Sequence, residues 1–389
     1  MSPSVRFFLA VVATVLSGAG SAQTISTSAK FALLDDYDTG AALFDKASEE
    51  SMAPASTSKL LVAEMVFREL KEGRLKLDDK FHVSEYAWRT GGAHAHGSAM
   101  FLDVKSDVRV EDLLRGLIIQ SGNDAAIVLA EGLGGSEDAF VGLMNKRAAE
   151  LGLTHSHFTN AWGRSDPDER VTARDMAKLA HYIISEYPDF YHYFGEKDFT
   201  WNKIHQMNRN PLLTMNLGAD GLKTGDTAES GFGLVGSAVQ DGQRLILVIN
   251  GLKTAAERGE ESRKMLNWGF RAFDARTFFQ PGDTVGRARV YGGVEESVEL
   301  TTDAAIKGFV PKVGTDKLTA KVVYLGPAPA PIEAGQVLGE VRIYRNDALM
   351  LTAPLKTKTA VAVGGLTHRA FDAALQLGED WLRQTTHRP

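Results

Sequence analysis

Residues 52–67 have the sequence MAPASTSKLLVAEMVF, in which Ser56 stands three residues before Lys59 and an apolar helical pattern begins. Positions i and i+3 share one face of a helix, so these two side chains can contact each other. A serine hydroxyl needs a base to become a nucleophile, and a lysine can serve if burial or a second cation lowers its pKa. Most such pairs are only a helix cap beside a surface lysine, so the pair alone does not establish a nucleophile.

Composition excludes several classes of protein. The chain has 389 residues, 44% of them hydrophobic, and no cysteine. Disulfides, thiolate catalysis, cysteine-ligated zinc and iron–sulfur clusters are therefore excluded. The net charge of −6 and the lack of a basic run disfavour a nucleic-acid partner, because binding to phosphates needs a basic surface.

The first 22 residues are predicted to be an export signal. Arg6 supplies a positive charge, residues 7–16 (FFLAVVATVL) are apolar, and small residues lead to a cleavage site after Ala22. A membrane anchor is the alternative, but a spanning helix needs about 20 apolar residues. We therefore expect an exported protein in the periplasm, with peripheral attachment to the outer face of the cytoplasmic membrane as a further alternative.

Residues 23–275 combine strand and helix patterns. KFALLDDYDTGAALFDK (30–46) predicts a two-stranded hairpin, and a helix is expected over 56–70. Further helical patterns fill 111–151, and another helix is expected from a cap at Thr172 to a stop before Pro188. After Lys223 the pattern changes to two strands joined at Asp241-Gly242, followed by a helix at 256–273. This order predicts an α+β domain, an antiparallel sheet with a largely helical insertion.

The last part of the chain is predicted to form a separate module and a tail. Residues 276–365 alternate short strand patterns with Gly, Pro and Asp turns, which predicts a small all-β domain. Residues 366–389 are helical with one loosely apolar side. An interfacial helix should be cationic on its polar face, whereas the charges of this one cancel. Membrane contact and packing against the protein therefore both stay open.

Two further short motifs contain candidate site residues. Ser121-Gly122-Asn123 lies between two apolar helical runs, and a buried polar group there would need partners. Lys223-Thr224-Gly225 stands at the head of a strand pattern, where the lysine and threonine can face an anion and Gly225 permits close approach of a substrate backbone. Taken singly, the first fits a helix N-cap and the second a strand-edge turn.

Ser-x-x-Lys, Ser-x-Asn and Lys-Thr-Gly occur in the order found in β-lactamases and penicillin-binding proteins. From about residue 27 to the tail, the chain resembles the low-molecular-mass penicillin-binding proteins, the serine-type D-alanyl-D-alanine carboxypeptidases. This resemblance implies a β-lactamase/transpeptidase-like domain followed by the all-β domain. It is carried by PASTSKL (54–60), GSAMFL (97–102), SGNDAA (121–126), TARDMA (172–177), NRNPLL (208–213), DGLKTG (220–225) and RKMLNWGF (263–270).

The resemblance implies a role for each motif residue. Ser56 attacks the carbonyl between two terminal D-alanines of a peptidoglycan pentapeptide, and Lys59 takes its proton. Ser121 passes that proton to the leaving D-alanine, and Asn123 holds a substrate amide and the lysine. Penicillins and other β-lactams would acylate the same serine.

The remaining implied roles concern the substrate carboxylate and the oxyanion. Lys223 keeps a positive charge that favours neutral Lys59, and Lys223 and Thr224 receive the terminal carboxylate. Arg258 assists them, with Arg209 as a weaker candidate. The backbone amides of Ser56 and of Asp226, the residue after Gly225, would form the oxyanion hole. The scheme requires no metal or other cofactor.

Asp226 departs from the family pattern. Many relatives have histidine after Lys-Thr-Gly, whereas here a carboxylate lies near the expected anion site. Two other functions stay open: a β-lactamase, which would need fast deacylation, and a catalytically weak wall-binding or scaffold protein that retains the cleft. The histidine pairs His94/His96 and His155/His157 lack a metal-site spacing, so a loop near the cleft is the favoured interpretation.

Overall fold

The computed structural model describes residues 7–12, 25–312, 317–366 and 369, and the chain divides into two compact units. The first unit spans Thr24–Arg271, and the second begins at Ala272 and includes strand β1 (Phe7–Val12). The predicted export signal overlaps β1 and stays a prediction. The tail helix predicted over 366–389 lies outside the described residues, apart from Leu366 and Arg369.

The first unit is built on a five-stranded antiparallel sheet. The five strands are β2 (Phe31–Asp36), β3 (Ala42–Lys46), β8 (Ala219–Thr227), β9 (Gly231–Gln240) and β10 (Gln243–Leu252). The predicted hairpins over 30–46 and around Asp241-Gly242 are both present, and the strand order is β3-β2-β10-β9-β8. Strand β8 therefore forms one edge of the sheet.

Helices surround this sheet, and short hairpins lie among them. The hairpins are β4 (Lys80–His82) with β5 (Asp107–Arg109), and β6 (Asp198–Trp201) with β7 (Ile204–Met207). The helices are α1 (Lys59–Lys71), α2 (Glu85–Gly91), α3 (Val110–Arg115), α4 (Asn123–Gly134), α5 (Glu137–Glu150), α6 (Ala173–Glu186), α7 (Pro188–Tyr191) and α8 (Ala255–Ala272).

The two faces of the sheet are buried against different helices, because successive side chains of a strand point to opposite faces. Leu33, Ile246 and Val248 belong to the large core shared with the helical region. Leu34 and Leu245 point the other way, and both lie against Gly269 of α8. The first unit is therefore a three-layer structure, and its α+β class is the one that the sequence predicts.

Helix α6 shows how the sequence determines one boundary of this region. Thr172 caps its N-terminus, since its Oγ1 accepts a hydrogen bond from the amide of Asp175 at 3.1 Å. The helix ends at Glu186, directly before Tyr187 and Pro188, and a proline disfavours helical backbone in the residue before it. Both ends agree with the prediction.

The second unit is a β domain in its described part. Seven strands pair in the order β1-β15-β17-β18-β13-β12-β16, and β11 pairs with β14. Its core is apolar and includes Val298, Leu300, Val341, Ile343 and Leu355. The strands are β11 (Phe273–Phe279), β12 (Gly286–Tyr291), β13 (Ser297–Thr301), β14 (Ile306–Pro311), β15 (Leu318–Leu325), β16 (Ala328–Pro329), β17 (Val337–Arg345) and β18 (Ala348–Thr357).

Candidate active site

Ser56 lies in a 3₁₀ turn, Ala55–Ser58, that leads directly into α1. Ser58, the residue at the N-cap of α1, makes no capping hydrogen bond with its side chain, so this helix start is not an ordinary serine cap. Thr57 secures the turn by donating its hydroxyl to the carbonyl of Pro54 at 2.7 Å. The half-buried Ser56 side chain is thereby free to face Lys59.

The amine of Lys59 contacts three oxygens. Its Nζ lies 2.9 Å from Ser56 Oγ, 2.8 Å from Asn123 Oδ1 and 2.5 Å from the carbonyl oxygen of Trp162. The two carbonyl-type oxygens can only accept, whereas the hydroxyl can also donate. A neutral amine therefore fits this arrangement: two N–H groups bind the acceptors, and its lone pair faces the Ser56 proton.

Burial provides the physical reason for a neutral amine. Lys59 is 1% exposed, and removal from water, together with the nearby Arg209 cation, lowers its pKa to about 7. The carboxyl groups of Glu169, Asp124 and Asp226 act in the opposite direction without cancelling the effect. A large fraction of Lys59 is consequently a free base near neutral pH.

Ser121 belongs to a second serine–lysine pair, which it forms with Lys223. It follows a π-helical turn, Gly116–Gln120, and has a left-handed backbone with φ of 64°, which is strained for a serine. Lys223 Nζ donates to Ser121 Oγ and to the carbonyl of Thr224, both at 2.9 Å. The three sequence motifs are therefore joined: Asn123 contacts Lys59, and Ser121, two residues away, contacts Lys223.

Lys223 is buried like Lys59. Burial lowers its pKa well below the ordinary lysine value, the cations of Lys59, Arg209 and Arg258 lower it further, and the Asp226 carboxylate opposes them. The pKa values of both site lysines are thus shifted in the same direction. An anion beside Lys223 would favour its ammonium form.

The segment GSAMFL (97–102) holds the Ser121–Asn123 loop in place. Asn123 donates its backbone N–H to the carbonyl of Ser98 at 2.8 Å. Asp124 accepts the amides of Met100 and Leu102 at 2.9 and 3.2 Å. A Cβ at Gly97 would lie only 2.8 Å from Asn123 Nδ2, so glycine allows this close packing.

Strand β8 brings the third motif against the nucleophile turn. Lys223-Thr224-Gly225 lies within this nine-residue strand, which begins at Ala219, before the predicted start. A Cβ on Gly225 would lie 3.0 Å from the backbone nitrogens of Ser56 and Thr57. The close approach predicted for this glycine is therefore made with the protein's own backbone at the nucleophile.

The amide of Asp226 points to the open edge of β8. Thr227 donates its N–H to Ser230 Oγ on the hairpin side, at 3.0 Å. Amides of neighbouring residues in a strand point to opposite sides, so that of Asp226 points away from β9. This direction leaves the amide available as a donor, as the resemblance implies.

Arg258 supplies a cation with unused donors. Its side chain is 8% exposed, and Nη1 lies 3.8 Å from Asp226 Oδ1, longer than a hydrogen bond. Within the described part of the chain, Nε and Nη1 have no hydrogen-bond partner. Burial lowers the pKa of both Arg258 and Arg209, and Asp226 opposes this at both. Such an under-satisfied buried cation favours binding of an anion.

Sequence reasoning missed the residues that supply and position the Trp162 carbonyl. Asn160 Oδ1 accepts the amides of Trp162, Gly163 and Arg164 at 3.2, 2.7 and 2.8 Å. An asparagine three residues before a glycine is a signal for such a turn, but a backbone carbonyl has no side-chain signature. The sequence motifs therefore predicted Asn123 as a contact of Lys59, in addition to Ser56, and gave no sign of Trp162.

The candidate histidines do not join this site. His94 packs edge-on against Trp88, with ring centroids 4.3 Å apart, and His157 pairs through its backbone with Arg170. Among the residues with a described placement, no group of three or more His, Cys, Asp or Glu could hold a metal ion.

The buried serine–lysine pair at the edge of an antiparallel sheet defines the class: serine acyl-transfer enzymes that use a lysine base. Comparison with known proteins finds two matching family models. The family model of D-alanyl-D-alanine carboxypeptidases matches residues 18–254, and that of the penicillin-binding protein 5 C-terminal domain matches 273–363. The chain belongs to the D-alanyl-D-alanine carboxypeptidase family.

Individual relatives cover nearly the whole chain. It is 38% identical over 378 residues to D-alanyl-D-alanine carboxypeptidase DacC of Escherichia coli, which spans 96% of this chain and 94% of DacC. Identity to DacD of the same species is 39% over 345 residues, 87% of this chain and 88% of DacD. The structure of penicillin binding protein 5 from Haemophilus influenzae, 36% identical, aligns with a TM-score of 0.78 over 88% of this chain and 100% of that chain. The predicted transpeptidase-like fold with a C-terminal β domain is confirmed.

Replacement of Gly225 tests the contact between β8 and the nucleophile turn. In Gly225→Ala, the added Cβ meets rigid backbone at 3.0 Å, so strand and turn must separate. Because small displacements of reacting groups slow catalysis strongly, we expect covalent labelling by penicillin to slow by about tenfold or more. Gly142→Ala on α5, where a Cβ meets nothing within 4 Å, is the control. Wild-type labelling of Gly225→Ala would contradict the contact.

Proposed function

We propose that the protein removes the terminal D-alanine from peptidoglycan stem peptides through an acyl-enzyme on Ser56, and that penicillins block it by acylating the same oxygen. The single observation that carries the assignment is the contact of Lys59 Nζ with Ser56 Oγ at 2.9 Å, with two carbonyl oxygens occupying its other sides. The family membership supports the same reaction.

Acylation begins when the neutral Lys59 amine takes the Ser56 proton. Ser56 Oγ then forms a bond to the carbonyl carbon between the two D-alanines, and the carbonyl oxygen becomes an oxyanion. The amides of Ser56 and Asp226 donate to this oxyanion, a role for which backbone N–H groups are suited. The positive charge formed on Lys59 balances the negative charge of the intermediate.

The leaving group and the substrate carboxylate involve the second lysine. Lys223, Thr224 and Arg258 receive the terminal carboxylate, whose negative charge raises the pKa of Lys223 and keeps it an ammonium. Asn123 holds a substrate amide. The proton on Lys59 passes by way of Ser121 to the leaving nitrogen as its bond to carbon breaks, and D-alanine departs. Water then hydrolyses the ester, with Lys59 again the base.

The site of action is part of the proposal. Residues 1–22 act as an export signal, and the mature chain works in the periplasm, where its peptidoglycan substrate lies. In the described residues, no helix is both long and apolar enough to cross a membrane. Membrane attachment through the predicted tail helix over 366–389 stays a prediction.

Release of D-alanine tests the proposed reaction. With a peptide ending in D-Ala-D-Ala, the wild type should release D-alanine, and Ser56→Ala should be slower on the order of 10³-fold or more. Mass spectrometry should show a penicillin adduct on the wild type only. Release by Ser56→Ala at the wild-type rate would refute the assignment. Rapid multiple turnover of penicillin would favour a β-lactamase, and absence of any adduct a scaffold protein.

Asp226 should slow the reaction because its carboxylate lies 3.8 Å from the Arg258 guanidinium that receives the substrate carboxylate. Asp226→His removes this competition. We expect turnover of D-Ala-D-Ala peptides to rise roughly two- to fivefold, the range of a weak surface ion pair, because Asp226 itself is 51% exposed. Asp226→Asn separates the loss of charge from the gain of an imidazole. Equal or lower activity in both variants would show that Asp226 does not compete.

A further inference from the structure

Glu169 is a buried carboxyl group behind the nucleophile turn for which the proposed reaction has no role. It is 4% exposed, and its Oε2 accepts hydrogen bonds from Thr159 Oγ1 at 2.8 Å and from Asn160 Nδ2. Its Oε1 is buried without a hydrogen-bond partner among the described residues. A buried carboxyl group with one oxygen left without a hydrogen bond is unfavourable for stability, and this points to a functional role.

A short chain of hydrogen bonds connects Glu169 to the base. The Asn160 amide group is held by Glu169 and by the Arg164 carbonyl at 3.1 Å. The other end of the same side chain binds three amides of the following turn and so fixes the Trp162 carbonyl. That carbonyl accepts Lys59 Nζ at 2.5 Å. Displacement of Glu169 would therefore be transmitted to Lys59 through a single side chain, Asn160.

The same turn also contacts the nucleophile. Gly163 has φ of 79°, and a Cβ there would lie 2.0 Å from the carbonyl oxygen of Ala55 and 2.8 Å from the nitrogen of Ser56. The turn organised by Asn160 is thus pressed against the backbone that carries Ser56. A change in its position would alter both reacting groups together.

Glu169 and Lys59 also interact electrostatically. Burial raises the pKa of Glu169 to about 7, close to the value of about 7 for Lys59. The Lys59 cation favours the ionised carboxyl group, and the carboxylate favours the ammonium form. Each group therefore affects the protonation of the other.

We propose that Glu169 is a positioning residue: it fixes the Asn160 turn that holds Lys59, and its carboxylate charge acts on the Lys59 amine. This inference rests on the proposed function of Lys59. Glu169 combines a direct hydrogen bond to Asn160 with a charge that acts on Lys59. The other charged groups that act on this pair are Asp166 at Glu169 and Asp124, Arg209, Lys223 and Asp226 at Lys59.

Glu169→Gln separates charge from shape. Its amide oxygen can still accept from Thr159 and Asn160, but the negative charge that stabilises the Lys59 ammonium is lost. Lys59 then becomes a free base at lower pH, so the acidic limb of the penicillin acylation rate should move to lower pH. The shift should be no more than about one pH unit, because Glu169 is itself partly protonated in that range. Above about pH 8 the variant and wild type should react alike, since Lys59 is neutral in both.

Two further variants complete the experiment. Glu169→Asp keeps the charge but shortens the side chain, so that the contact with Asn160 is weakened. The acylation rate should therefore fall at every pH, while the pH midpoint of the rate profile stays near the wild-type value. Glu229→Gln removes an exposed carboxylate nearby, whose charge is screened by water, and should leave the profile unchanged. Circular dichroism checks that each variant is folded.

The outcomes separate this inference from the proposed function. A wild-type protein that forms no penicillin adduct overturns both. A wild-type protein that is acylated, with an unshifted midpoint in folded Glu169→Gln, overturns the role of Glu169 and leaves the carboxypeptidase assignment intact. If Glu169→Gln is unfolded, Glu169→Asp decides: a lower rate with an unchanged midpoint supports positioning, and a wild-type rate overturns it.

Discussion

Burial of one lysine amine among three oxygens is the constraint on which the site depends. Lys59 at the start of α1 is removed from water, yet its Nζ has partners on every side: the hydroxyl to be activated and two carbonyl oxygens. Burial makes the free base accessible near neutral pH, and the two carbonyls orient its lone pair. Both effects are required, because a neutral amine without fixed orientation would not face the Ser56 proton.

Much of the surrounding structure follows from meeting that constraint. The Asn123 oxygen must reach Lys59, and GSAMFL (97–102) secures the start of α4. Its Ser98 carbonyl accepts from the Asn123 amide, and two of its amides donate to the Asp124 carboxylate. The Trp162 oxygen must reach it from the other side, and Asn160 holds that turn. Strand β8 can approach the nucleophile turn because Gly225 lacks a side chain. A cluster of cations, Lys223, Arg209 and Arg258, then makes the cleft receptive to a carboxylate.

The sequence predicted the side chains of the site well and their backbone partners poorly. Three short motifs in a fixed order led to Ser56, Lys59 and Lys223, since each uses a side chain with a recognisable spacing. Trp162 acts through a carbonyl, which any residue could provide, so its identity gave no signal. The burial of Lys223 gave no signal either, because burial is a property of the folded chain rather than of the motif.

The success of the secondary-structure prediction depended on the length of the element. Long periodic segments such as α6 and the hairpin β9–β10 were predicted close to their observed limits. The hairpins β4–β5 and β6–β7 have strands of three or four residues, too short to show a period, and were missed. Strand β1 lies within the segment that the sequence predicts to be an export signal. The sequence pattern of this segment shows only that it is apolar.

The protonation state of Lys59 can be observed directly by nitrogen NMR. Protein labelled with ¹⁵N at lysine Nζ would be titrated, with Lys59→Arg to assign the resonance. We expect a midpoint at a pH of about 7 for Lys59. A midpoint near 10.5, the ordinary lysine value, would mean that the amine is a permanent ammonium and would contradict its role as the base.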